Sequence, residues 1–106
     1  MTLNLEQSVA EQATDHEGHL LIDVDGSLNG VAIWMDWQLD SVTTVSGGPT
    51  SQVRLGHQVS WDRHIKQGVY FIKKPVTCST SSPVVLLYRV HIQPHTMEVK
   101  FDFSLE

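Results

Sequence analysis

The sequence predicts an all-β domain, an antiparallel barrel or sandwich built from hairpins. Apolar and polar residues alternate at period two in several stretches, turn-forming residues punctuate those stretches, and no sustained helical pattern competes with them. Residues 19–106 carry this signal. Residues 1–18 are polar with little apolar material to bury, and read as a flexible, weakly structured lead-in with at most one helical turn in "LEQSVAEQA", where Leu5, Val9 and Ala10 fall at helical spacing.

In chain order, "HLLIDVD" alternates Leu20, Ile22 and Val24, and Asp25-Gly26-Ser27 is expected to close a hairpin onto the next strand. That strand is "VAIWMDWQLD", with Val31, Ile33, Met35, Trp37 and Leu39 on one face and Asp36, Gln38 and Asp40 on the other. From Ser46 to Gln67 no strand is legible, and a connection of that length is usually functional or carries a small element of its own. Val69 to Ile72 is apolar on both faces, which predicts a strand buried on both sides.

"VVLLYRVHI" and "MEVKFDFSL" then alternate strongly, and the Pro94-His95-Thr96 turn between them predicts a second hairpin. Met35, Trp37, Leu86, Tyr88, Val99 and Phe101 are expected to share one core. Leu105 and Glu106, at positions where cloning residues are common, carry no functional weight.

Composition narrows the function. One hundred and six residues suit a single small domain, and the formal net charge of −5 leaves no basic stripe for nucleic acid, Lys66, Lys73 and Lys74 being too few. No apolar run approaches the roughly 20 residues of a membrane-spanning helix, and no signal-peptide core precedes the domain. A lone cysteine, Cys78, fits a reducing compartment, cytosol or nucleus.

Metal and cofactor chemistry find little purchase. "DVDGSLNG" offers Asp23 and Asp25 at calcium-loop spacing, but Leu28 and Trp34 stand where such a loop needs glycine and glutamate. The pairs His16/His19 and His91/His95 lack the convergent third and fourth ligands of a zinc site. No nucleophile elbow orders the serines, and Gly47-Gly48 is followed by Pro49 rather than by a phosphate-binding helix.

"WDRHIKQGVYF" is left, a histidine among basic neighbours where the chain enters a strand. Together with "VAIWMDWQLD", "VTTVSGGPT" and "MEVKFDFSL", it resembles the C-terminal β-barrel of the protein arginine methyltransferases. That family has a Ser/Thr-Gly/Ser-x-Pro segment, then a Thr-His-Trp-Lys-Gln motif leading into an apolar strand. The resemblance implies that the chain is part of a longer one. An upstream domain would bind S-adenosylmethionine and carry the paired glutamates that hold the guanidinium, so no cofactor is expected in residues 1–106 themselves. The barrel would help form the groove for arginine-bearing protein substrates.

Carried over residue by residue, His64 matches the family histidine, which supports the catalytic constellation, and Lys66-Gln67 match the Lys-Gln pair. Arg63 stands where threonine is expected and Ile65 where the tryptophan that walls the arginine pocket is expected, and the connection from Pro49 to His64 is longer than usual. The resemblance therefore implies a degenerate module, such as the second of a tandem pair, inactive by itself. Without it, His64 is a solvent-exposed loop histidine with Arg63 and Lys66 as solubilising neighbours. The rival class is a free-standing β-sandwich module binding peptide or carbohydrate through Trp34, Trp61 and Tyr70. A scaffolding interface would instead show an exposed apolar patch.

Overall fold

The structure is a computed structural model and describes residues 2–4 and 14–106. The strands are β1 (Asp15–Ile22), β2 (Gly26–Ile33), β3 (Asp36–Gln38), β4 (Thr44–Ser46), β5 (Gly68–Cys78), β6 (Val84–Ile92) and β7 (Val99–Leu105). Among the described residues there is no helix, so none is long and apolar enough to cross a membrane. The all-β class is as expected. The strands form a three-stranded sheet, β1-β6-β7, and two-stranded sheets β2-β5 and β3-β4. β1 begins at Asp15, within the segment read as a lead-in, and the helical turn expected in "LEQSVAEQA" lies outside the described residues.

The chain divides into two compact units, Met1–Ser27 with Thr77–Glu106, and Leu28–Val76. In the first, β6 pairs antiparallel with both β1 and β7, so that Gly18, Tyr88 and Phe103 stand in one row and Glu17, Arg89 and Asp102 in the next. Because side chains alternate across a strand, this register gathers Leu20, Leu86, Ile92, Phe101 and Phe103 on one face. The other face receives the charges. Arg89 Nε donates to Glu17 Oε1 at 2.7 Å, and His91 Nδ1 lies 2.8 Å from Asp15 Oδ1. Both pairs are solvent-exposed cross-strand contacts, which hold register more than they add stability. The Glu17 carboxylate raises the Arg89 guanidinium above its ordinary value, first by hydrogen bonding and then by charge.

The hairpin expected at Pro94-His95-Thr96 joins β6 to β7. Gln93 N donates to Glu98 O at 2.9 Å and Met97 N to Gln93 O at 2.7 Å. The turn closes with Met97 in the left-handed region, φ 61°, where an L side chain is uncommon. Leu105 and Glu106, set aside in the sequence, continue the ladder: Leu105 faces Leu86, and Glu106 and Val85 exchange backbone hydrogen bonds of 2.9 and 3.1 Å.

Other expectations need correcting. Asp25-Gly26-Ser27 closes no hairpin, because β1 pairs with β6 and β2 with β5. Alternation identifies a strand without naming its partner, and the Asp25 carboxylate instead accepts from Thr80 N in the β5–β6 turn at 3.3 Å. The expected core is only partly buried: among the described residues the buried hydrophobics are Cys78, Leu86 and Ile92 at 3, 3 and 5 % exposure, all in the first unit. Met35 and Trp37 belong to the second unit and, like Val99 and Phe101, remain partly exposed. Val69 and Phe71, expected to be covered on both sides, are 56 and 78 % exposed. An apolar run marks surface that would gain from burial without supplying the cover.

In the second unit the long alternation of "VAIWMDWQLD" breaks. β2 stops at Ile33, Trp34 and Met35 lie outside any strand, and β3 starts at Asp36 to make a short hairpin with β4. Asp40 shapes that hairpin's turn: its Oδ1 accepts from Val42 N at 2.8 Å and Thr43 N at 2.7 Å, while Leu39 N donates to Thr43 O at 2.9 Å. An aspartate carboxylate bonding its own backbone two and three residues on is a standard turn device. No strand forms between Gly47 and Gln67, as the sequence suggests.

Candidate functional site

Beyond the break, Met35 O accepts a hydrogen bond from Gly47 N at 2.8 Å, continuing past the end of the β3–β4 pairing. Ser46 Oγ donates to the Asp36 carboxylate and accepts from Gly48 N at 3.1 Å. Gly47 and Gly48 are thereby held as a buried pair on the end of β4. Both positions are crowded. A β-carbon at Gly47 would lie 3.0 Å from Ile65 Cγ2 and 3.0 Å from Met35 O, and one at Gly48 would lie 2.6 Å from Trp34 Nε1. Glycine is needed here because other groups approach the backbone closely.

Ile65 reaches this seat from a turn. Asp62 organises it, its Oδ1 accepting from His64 N at 2.8 Å and its backbone carbonyl from Ile65 N at 3.2 Å. Gln67 locks it: Nε2 donates to Ile65 O at 2.7 Å and to Gly47 O at 3.1 Å. So "VSGGP" and "RHIKQG", twenty residues apart along the chain, meet through one carboxamide. Upstream, Thr50 N donates to Ser60 O at 2.9 Å, which closes the intervening loop at its base.

The residues singled out in the sequence separate here. Ile65 is half-buried against Gly47, whereas His64 and Arg63 are exposed. Arg63 Nε donates to His64 Nε2 at 3.3 Å, so in this arrangement that ring nitrogen is an acceptor already in use. Lys66 is exposed as well. Gln67 and the glycine pair are the positions that sequence reasoning undervalued. Their signal was present, a Gly-Gly preceding proline and a glutamine at a strand entry, but the meeting of the two segments is not encoded in either alone.

The aromatics of the rival reading do not make a flat platform. Trp34 and Trp61 meet edge to face, with ring centroids 5.8 Å apart and planes at 63°, an arrangement that packs one ring's edge on the other's face. Among the described residues no group of three His, Cys, Asp or Glu side chains converges.

Comparison with known proteins gives the context. Residues 1–106 match the family model of the arginine methyltransferase oligomerization subdomain. Protein arginine N-methyltransferase 7 of the zebrafish Danio rerio is 34% identical over 105 residues, covering 99% of the chain and 15% of the relative. The protein of the same name from Drosophila grimshawi is 36% identical over 95 residues, covering 83% of the chain and 14% of the relative. The chain thus spans about one seventh of the length of these relatives. No solved structure matches it.

Proposed function

Since the chain belongs to the arginine methyltransferase family, matching its oligomerization subdomain, we propose that it serves as the non-catalytic β-domain of a protein arginine methyltransferase. In the intact enzyme a methyl group would pass from S-adenosylmethionine to an arginine of a protein substrate. The catalytic domain, upstream in the same chain, would hold the cofactor. This domain would contribute the Asp62–Gln67 turn as part of the substrate groove, in the cytosol or nucleus.

The observation that carries this reading is the seating of that turn: Gln67 bonds to Gly47 O and Ile65 O, so a polar turn is fixed on a buried glycine pair. A groove wall needs that kind of fixed backbone, because a wall ordered before the peptide arrives spares the ordering cost on binding. Its side chains suit a wall better than a reacting group. Ile65 offers no π face for a guanidinium, a contribution of about 0.5–2 kcal/mol that a tryptophan could make. His64 is engaged by Arg63. The β-domain therefore supports catalysis by walling the groove, without supplying a reacting group.

Calorimetric titration of the 106-residue chain with S-adenosylmethionine tests the division of labour. We expect no heat of binding, and saturable micromolar binding would overturn it.

A further inference from the structure

We propose that Gln67 is a positioning residue for the substrate groove, setting where the Asp62–Gln67 turn stands by clamping it to the Gly47 backbone. The inference rests on the groove-wall reading above and deepens it. Both partners of the Gln67 side chain are carbonyl oxygens, Ile65 O at 2.7 Å and Gly47 O at 3.1 Å. Only the amide nitrogen can face them, and its two N–H groups are then both used. The contact is part-buried, so water makes up for a lost donor only in part.

The clamp works because its anchor is itself fixed. Gly47 N is tied to Met35 O at 2.8 Å, and Gly48 N to Ser46 Oγ at 3.1 Å. Ile65 Cγ2 rests 3.0 Å from where a Gly47 β-carbon would stand. The turn thus has an apolar stop on one side and a two-pronged hydrogen bond on the other. Asp62 holds the turn's internal shape through His64 N and Ile65 N, but among the described contacts it is Gln67 that ties that shape to Gly47. Asp62 therefore bonds only within the turn, whereas Gln67 both closes the turn at Ile65 O and ties it to Gly47 O. A change at Gln67 should loosen the turn on its seat without unfolding the domain.

The test uses the full-length protein with Gln67→Glu, which keeps the shape but aims an oxygen at two carbonyls, and Gln67→Met, which removes the donors without repulsion. Amide hydrogen exchange at His64 and Ile65 reports how firmly the turn is held, and, with any second module disabled, steady-state methylation of an arginine peptide reports the groove. Losing two neutral hydrogen bonds should accelerate exchange at both amides about tenfold in each variant. The KM for the peptide should rise about fivefold or more, with kcat and the KM for S-adenosylmethionine changed less than about twofold, since only uniform peptide binding is lost.

Unchanged exchange in both variants would overturn the clamp. Faster exchange with an unchanged peptide KM would leave the clamp standing and overturn the groove-wall reading. A parallel loss of kcat and cofactor affinity would show a general structural role and overturn the positioning proposal.

Discussion

Replacing Gly47 by alanine should destabilise the chain, whereas the same change at Gly26 should not. At Gly47 the new methyl would stand 3.0 Å from Met35 O and 3.0 Å from Ile65 Cγ2. Met35 O is backbone and is already bonded by Gly47 N at 2.8 Å, so making room stretches that bond. Ile65 is β-branched and stiff at χ1, so its methyl yields poorly. Overpacking of this kind costs about 1–3 kcal/mol. Alanine also restricts the unfolded chain, which offsets roughly 0.4–1 kcal/mol. The net expectation is a loss of about 0–2.6 kcal/mol for Gly47→Ala, centred on about 1.3 kcal/mol. Gly26 is the internal control: no atom lies within 4 Å of its β-carbon position, so only the unfolded-state term applies. Urea unfolding of the 106-residue chain, followed by tryptophan fluorescence and circular dichroism, measures both. If Gly47→Ala proved as stable as the parent, or Gly26→Ala lost as much, the crowded seat beneath Ile65 would not exist as described.

Leu86→Ala should cost about 2–5 kcal/mol, enough to unfold a domain with so little core, whereas Leu55→Ala, at a site 70 % exposed, should stay within about 0.5 kcal/mol of the parent. Thermal melts compare them, and similar losses would contradict the burial pattern. Asp40 is held below its ordinary value of 3.8 by the Val42 backbone hydrogen bond and then by Thr43. A depressed carboxyl contributes stability that is fully present above the unfolded value and lost as pH falls through the lower folded one. An NMR titration should place Asp40 below 3.8, with the β3–β4 turn amides shifting in step, and a midpoint at or above 3.8 would refute the turn geometry. In the intact enzyme, with any second module disabled, His64→Ala should change activity less than about threefold, whereas a hundredfold loss, the scale of a positioned acid–base group, would restore His64 to a catalytic role.

The residues of the 62–67 turn show how far a linear reading reaches. "WDRHIKQGVYF" stood out because a histidine sits at a strand entry, and the structure does place Gly68 at the start of β5 with the turn just before it. But the histidine that drew attention is exposed, while the glutamine three residues on makes the longer-range contact. A strand entry is a local feature. A carboxamide's choice of a carbonyl twenty residues away is not.

The sequence by itself determined that this chain is all-β, where β6 and β7 run, and that Pro94-His95-Thr96 turns between them. Side-chain alternation at period two follows directly from the pleat of an extended backbone, and tight-turn chemistry acts within a few residues. Only the tertiary structure decided that β1 pairs with β6 rather than with β2, that the strand through Trp34 breaks, and that Gly47 seats Ile65. Those outcomes depend on which distant surfaces meet and how closely. Backbone hydrogen bonding accepts many partners, and packing between segments remote in sequence selects among them.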